Sequence, residues 1–591
     1  LLNCLLREIT GPSSAPHTVD QHLIIALPAG GHSLRAGVRR LSLAEPRPTG
    51  SVERWDAARG WLPLPWKELA ELIDAELAAA DNGSGTPDNG PVGPRNSRLL
   101  DEVAASHAFT KAILRQRATP NPSTAPNPST ALNPGTAGTQ NPGSTDAAKA
   151  AFADYLASEQ SLIAGHRFHP APKARSGSPE LALTYAPENQ AQFRLHYLAV
   201  PESNVCQHEA YSSAATVFDH VDGADPAAPP GHRLIPVHPW QFQILLEDSA
   251  FRKALENGKL VDLGELGEPV RPTSSVRTVA RAGDTGFLKL SLAVQITNCL
   301  RINPPHEIQA AVTVSRILEP LRSGLAELFP GTVVLGEPAS RTVDLGSDDP
   351  DGSIADGLGA IFRESLTGRL AAGVRPLLAA ALVEPDPVAP VSVVLKYLTG
   401  NREGLIHWWD AYLHRLIPPV LHAFFAHGLV FEAHLQNVVI GLSDQRPDRH
   451  HPTHLVLRDL EGVKLVGRQN APRLADLPPR VREHLSYSGE LGWDRVAYCL
   501  FINHLSGLLG RLADRDPGAE QLLWSRVRTA IIAFRRDHGD APQLRDILSG
   551  LPLPAKTNLR TRWHRSADRD SGYVPVYLPL GPLLGAPRGA S

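Results

Sequence analysis

Glu432, His434 and Gln436 alternate along a run otherwise rich in Phe, Leu and Val, Asn437 follows, and Asp459 and Glu461 repeat the two-residue spacing further on. Read as two strands of a hairpin, these residues put carboxylates and an amide oxygen across from one another. Such an oxygen-rich pocket suits Mg²⁺ carried with a nucleotide. One buried histidine is ordinarily a satisfied core residue, but this many polar groups on neighbouring strands each cost energy unless partnered. A second stretch complements the first: in Ser274–Gln295 the period of two aligns Ser275, Arg277, Lys289 and Ser291 on one face. A planar donor fork, a point charge and neutral hydroxyls are the mixture a polyphosphate requires. The opposite face is apolar, so the charged face is equally compatible with an ordinary solvated exterior.

Four further segments carry candidate groups. Arg301 follows apolar residues in Thr297-Asn-Cys-Leu-Arg-Ile-Asn303 and fits either a grip on a carboxylate or phosphate or a helix-end salt bridge. His166-Arg-Phe-His-Pro-Ala-Pro-Lys-Ala-Arg175 packs cations and imidazoles into a proline-stiffened loop, either an anion clamp or a basic surface loop. His238-Pro-Trp-Gln241 reads as structural, and Arg449-His-His-Pro-Thr-His454 reads as an exposed loop, since its spacing fits no fixed ligand geometry.

The elements that must position these groups follow from periodicity. Helical patterns run over Trp66–Ala80, Ser97–Gln116, Ala147–Gly165, Ile406–His427, Trp493–Ala513 and Gln521–Asp537. The fourth is expected to break at Pro418 and Pro419 and to stop at Gly428. Strands are expected at Phe193–Val200 and Arg233–Val237. Two hairpins are expected: Ser274–Arg281 with Phe287–Gln295, and Phe431–Leu442 with His454–Leu465. Ala118–Asp146 repeats an Asn-Pro-Ser-Thr unit almost free of large apolar side chains, which predicts a disordered insertion.

A chain of 591 residues exceeds one core, so two or three lobes are expected. A formal charge of −3 from 58 basic and 61 acidic residues gives no general nucleic-acid or membrane surface, so any anion site must be local. The four cysteines, Cys4, Cys206, Cys299 and Cys499, show no paired spacing, which argues against a zinc ribbon or a disulfide framework and fits a cytoplasmic setting. No apolar run is expected to reach a membrane span, and Leu1–Thr10 lacks signal-peptide features. Methionine is absent, so short uninterrupted motifs carry more weight than long spacings.

Taken in order, Gly165–Arg175, Pro236-Val-His-Pro-Trp-Gln241, Ser274-Ser-Val-Arg-Thr278, Lys289, Arg301, Glu432-Ala-His-Leu-Gln-Asn437 and Arg458-Asp459 resemble the NRPS-independent siderophore synthetases, the aerobactin-synthetase-like family. The resemblance runs from about residue 150 to the end. It implies an α+β, multi-lobed cupped-hand architecture with thumb, fingers and palm, in which antiparallel hairpins form the nucleotide site. On that pattern residues 1–117 are thumb-like, 118–146 the insertion, 147–345 a fingers-like lobe and 346–591 a palm-like lobe with a helical C-terminal part.

The resemblance further implies ATP and Mg²⁺ as cofactors, with a small-molecule carboxylate joined to an amine, hydroxylamine or alcohol through an acyl-adenylate. Ser275, Arg277, Thr278, Lys289, His169, Lys173, His434, Gln436, Asn437 and Asp459 would contact the nucleotide. Glu432, Asn437 and Asp459 would hold the metal. Arg301, His434 and His169 would serve catalysis, and Arg301, Lys556 and Arg562 the substrate carboxylates. A homodimer is common among such enzymes. Departures are His166-Arg167 where relatives often have His-Pro, and Leu578-Pro579-Leu580 in place of Asn-Pro-Leu. Two rival classes fit some of the same residues. A kinase-like phosphotransferase would use Glu432, Asn437 and Asp459 but lacks a Gly-rich loop upstream, and an anion- or ferric-siderophore-binding protein would use the basic clefts without turnover.

Overall fold

The computed structural model describes residues 1–10, 17–40, 42–44, 47–82, 96–118, 144–222, 227–281, 283, 285–385, 398, 401–443, 450–566 and 571–582. Most of the expected insertion, residues 119–143, and the loop residues 444–449 lie outside them. The chain is α+β, as expected.

The N-terminal part is a five-stranded antiparallel meander from His17–Val19 to Gly60–Pro63, backed by the helices Trp66–Asn82 and Ser97–Ala118. Its apolar face closes over Leu23, Ile25, Leu34, Ile73 and Leu77, and the same cluster takes in Leu559 from near the other end of the chain. An eight-stranded antiparallel sheet follows. Phe287–Leu290 is internal to it, between Ala360–Arg363 and Thr278–Ala280. Phe193–Pro201 and His232–Val237 pair at one edge, where sequence periodicity puts strands. A four-stranded sheet completes the frame. It is antiparallel except that Thr332–Val334 runs parallel to Pro452–Leu457.

The largest core packs this last sheet against the helices Arg402–His427, Gly489–Arg515 and Glu520–His538. Contrary to expectation, Arg402–His427 continues through Pro418 and Pro419 without a break. Each interior proline costs roughly 3 kcal/mol in an isolated helix. Here Leu416, Ile417, Val420 and Leu421 around the pair are all fully buried, and that packing outweighs the missing donors. Gly428 ends the helix in the left-handed conformation (φ 62°), as expected.

Gly489–Arg515 also corrects an expectation, because it is long and apolar enough by composition to cross a bilayer; 89% of its apolar window is nevertheless buried inside the protein. Its middle turns, Tyr498–Leu505, are a π-helix. His238-Pro-Trp-Gln241 is structural, as read. Trp240 is buried, Gln241 Oε1 accepts from Ala293 N at 2.7 Å, and the His238 ring stands edge-on to Tyr185.

Both predicted hairpins exist in shortened form. In the first, only Thr278–Ala280 pairs with Phe287–Leu290, with Thr278 opposite Lys289. Ser274–Arg277 is a tight turn, in which Val276 N donates to Thr273 O and Arg277 N to Ser275 O. Ser291 is not on a phosphate face: its hydroxyl donates to Asp356 O and accepts from Asn303 N. In the second, Val438–Ser443 pairs with Pro452–Leu457. Glu432, His434 and Gln436 lie before that pairing in an irregular segment, and Asp459 and Glu461 lie after it at a 3₁₀ turn, so the expected alternation along a strand is absent.

Candidate active site

The loops at the ends of these strands enclose a cavity of about 360 Å³. It brings together His169, Lys173, Ser275, Arg277, Thr278, Lys289, Arg301, Glu432, His434, Gln436, Asn437, Asp459 and Lys556, from segments hundreds of residues apart.

Its most polar wall is a charge cluster. Arg277 Nη2 donates to Glu461 at 3.1 Å, and Lys289 Nζ reaches Asp459 and Glu461 at 2.5 Å each. Arg363, one strand over from Lys289, donates to Glu337 at 2.6 Å and to Asp459 at 2.9 Å. Three cations thus face three carboxylates, which explains how so much charge tolerates burial. Burial opposes ionisation of Asp459 and Glu461, but Lys289 with Arg363 or Arg277 more than offsets it. Asp459 is held well below the usual carboxylate range and Glu461 at about 2. Burial likewise opposes the Lys289 charge, and Asp459 and Glu461 reverse the effect and raise its pKa.

Sequence reasoning missed the residues that hold this cluster rigid. Asn303 accepts from Arg277 Nη1 and donates to Lys289 O at 3.0 Å and Gly359 O at 2.9 Å. Glu337, fully buried, holds Arg363 through one oxygen and Glu461 N through the other. Glu159, also buried, accepts from Ser274 N at 3.0 Å and from Arg458, whose Nη2 donates to Gln436 O at 2.7 Å. It ties the Ser274 turn to the Gln436 segment. A lone Asn or Glu carries no motif, so only pairing reveals these roles.

Backbone strain gathers at the same place. Val276, Thr297 and Asp459 line the cavity with φ of 68°, 57° and 75°. Left-handed φ at a β-branched residue is an outlier costing about 1–3 kcal/mol, sustained where packing over-determines it. Val276 is 1% exposed.

The histidines share a local device. Nδ1 of His166, His169, His238 and His434 each accepts the backbone N–H two residues on, which for His169, His238 and His434 assigns the remaining ring proton of the neutral form to Nε2. Burial keeps His434 neutral and pushes His166 down to about 3. His169 Nε2 lies 3.0 Å from Asn298 Oδ1.

Other candidates separate into available and committed groups. Arg301, at the end of the strand Cys299–Arg301, donates to Thr297 Oγ1 at 3.1 Å and Ile296 O at 3.3 Å, and among the described residues it has no carboxylate partner. The helix-end salt bridge therefore drops out. The Asn437 amide has no side-chain hydrogen bond among the described residues, while Gln436 Nε2 donates to Ser274 Oγ at 3.2 Å. Glu432, expected as a metal ligand, is held by Arg495 at 2.6 Å.

The anion-clamp expectation is corrected for its cations. Lys173 and Arg175 both engage the buried Glu188, at 2.6 and 2.8 Å. Burial works against the Glu188 charge, yet these two cations bring its pKa down to about 2. Arg562 is likewise committed, paired with Glu102, and lines an adjacent cavity of about 270 Å³ instead of the main one. The π-helical turn supplies Tyr498, Cys499, Ile502 and Asn503 to the main cavity, none of which a sequence motif marks.

Residues 154–384 match the IucA / IucC family, and residues 406–571 match the family described as Ferric iron reductase FhuF-like transporter. The chain is 30% identical over 452 residues to the rhizobactin siderophore biosynthesis protein RhbC of Rhizobium meliloti, an alignment covering 72% of this chain and 75% of that protein. It is 29% identical over 442 residues to the L-2,3-diaminopropanoate–citrate ligase of Staphylococcus aureus, covering 72% and 73%. Its fold is that of the ATP-bound aerobactin synthetase IucA of Klebsiella pneumoniae, with a TM-score of 0.79 at 22% identity over 98% of both chains. With the motifs in order, the fold shared end to end and a relative matched over three quarters of its length, the chain belongs to the IucA/IucC family of NRPS-independent siderophore synthetases.

Proposed function

We propose that the protein is an ATP-dependent ligase of siderophore biosynthesis that adenylates a carboxylic acid, citrate or a derivative of it, and condenses it with an amine, hydroxylamine or alcohol. The observation that carries this is that Arg277 and Lys289, which meet on Glu461, both line the cavity that also holds Arg301, a cation with no carboxylate of its own among the described residues. One group of cations suits a polyphosphate, and the separate one suits an acid brought up to it.

In the first step a carboxylate oxygen attacks the α-phosphorus of ATP, and the bond to pyrophosphate breaks. Two anions must approach, so catalysis depends on cancelling their charge and fixing their geometry. Arg277 and Lys289 exchange Glu461 and Asp459 for phosphate oxygens, while Ser275 and Thr278 add neutral donors from the Ser274 turn. Arg301 grips the acid, His434, which burial keeps neutral, offers an Nε2–H donor, and His169 stands beside them against Asn298. In the second step the nucleophile attacks the acyl carbon, the bond to AMP breaks, and the nucleophile's proton passes to solvent.

The donor set fits Mg²⁺. Asp459 and Glu461 are hard oxygen ligands released by that exchange, and the Asn437 amide is already available. When bound, the ion supplies charge neutralisation to the departing pyrophosphate. Glu432 contributes less directly, because Arg495 holds it.

Carboxylate-dependent ATP–pyrophosphate exchange tests the proposal. Arg277→Ala and Lys289→Ala should each lower it about 100–1000-fold, the cost of losing a donor to developing charge. Unchanged exchange would overturn the assignment. Formation of ADP instead of AMP and pyrophosphate would make the enzyme a phosphotransferase.

A further inference from the structure

We propose that His306, Glu307 and His484 form a second metal site, for a borderline divalent ion such as Zn²⁺ or Co²⁺, behind the phosphate-binding wall. His306 and Glu307 lie in the first turn of the helix Pro305–Leu328, directly after the Ile302–Asn303 segment that holds Arg277. His484 is on the helix Pro479–Leu485, packed against it. One ligand atom from each of the three lies within 4.8 Å of the others, and His484 Nδ1 is 3.8 Å from Glu307 Oε1. Tetrahedral ligands at zinc sit about 3.4 Å apart, given bonds of about 2.1 Å, so small side-chain rotations close the set.

Two observations separate this group from an incidental cluster. Among the described residues neither the Glu307 carboxylate nor the His306 ring has a hydrogen-bond partner, although both are half-buried. Neither group therefore has to give up a protein hydrogen bond to turn toward an ion. In addition, His484 Nε2 stands 3.4 Å from the Glu461 carbonyl, the kind of outer partner that fixes a metal-binding imidazole. Two imidazole nitrogens and one carboxylate favour Zn²⁺ or Co²⁺ over Mg²⁺.

Lys464 Nζ, 2.9 Å from the same Nε2, is the competing cation. Metal binding releases it from His484, whose Nε2–H then donates to Glu461 O. The site thereby acquires a link to catalysis, since the Glu461 carboxylate bridges Arg277 and Lys289 on its other side.

Chelator-treated protein titrated with Co²⁺ in excess Mg²⁺, without nucleotide, should bind one equivalent with a visible d–d spectrum. His306→Ala and His484→Ala should lose that equivalent, whereas Lys464→Met should bind at least several-fold more tightly. Anomalous scattering from Zn²⁺-soaked crystals should place the ion between the three side chains, which guards against variants that misfold. One equivalent retained in His306→Ala, no binding by the unmodified protein, or an ion located elsewhere would each overturn the proposal. None of these outcomes bears on ATP chemistry, so the ligase assignment stands or falls separately.

Discussion

Glu461 accepts from two cations that arrive from separate segments, and under the proposed function it is the carboxylate a polyphosphate would displace. Removing its charge should therefore act oppositely on the free and the liganded protein. Glu461→Gln leaves Arg277 and Lys289 short of one counter-charge in a buried setting, which should cost about 3 kcal/mol without ligand. Pyrophosphate alone, without Mg²⁺, should then raise the melting temperature of the variant more than that of the unmodified protein, because it replaces the lost charge without competing for the cations. A smaller ligand-induced shift in the variant would sink this account. Arg277, Lys289, Arg301 and Asp459 are legible in the sequence because they sit in short motifs whose spacing survives folding. Arg363, Asn303, Glu337 and Glu159 are illegible because their roles exist only as pairs across the fold. The same physics explains the misread cations: Lys173 and Arg175 look free in sequence, but Glu188 neutralises both.

At the scale of elements, the active-site groups sit where strands end, and strained residues make the turns. Both hairpins are foreseeable from alternation, yet their lengths are not, since alternation of polar and apolar residues continues past the last ladder hydrogen bond. Val276 shows what replaces the strand. Its left-handed φ of 68° turns Arg277 away from the ladder and toward Asn303 and Glu461, and its buried side chain locks the turn. Val276→Gly should relieve strain of about 1–3 kcal/mol while losing a similar amount of burial, so the melting temperature should hardly move. The turn would nevertheless lose its lock, and KM for ATP should rise about tenfold or more in steady-state kinetics. An unchanged KM would mean that the strained turn does not position Arg277. The π-helical turn at Tyr498–Leu505 is a parallel case: periodicity announces the helix, but nothing in it announces the wider turn that delivers Asn503 to the cavity.

Across the whole molecule, the two ends of the chain close on each other. The N-terminal helix Leu2–Glu8 packs on the C-terminal helix Asn558–Trp563, and Glu8 accepts from Leu559 N and Arg560 N at 2.9 Å each. Because Lys556 and Asn558 line the active-site cavity, this docking frames one end of it. Burial raises the Glu8 carboxyl from 4.5 to about 7, although the N–H donors of Leu559 and Arg560 pull it the other way. A raised carboxyl binds its proton more tightly when docked than when released. The stability it contributes is therefore fully present below about pH 4.5 and is lost as pH rises through about 7, a change of about 3 kcal/mol at most. Glu8→Gln cannot ionise, and its single amide oxygen leaves one backbone N–H unpaired, at about 1–3 kcal/mol independent of pH. Thermal melts of the two proteins should differ most near pH 5, with the unmodified protein the more stable, and the gap should narrow or invert by pH 8. Comparing the pair cancels other titrating groups, including Glu307 and Glu384, which burial also raises. A gap that widens with pH would show that the two N–H donors dominate, so that Glu8 clamps the chain ends together as an anion.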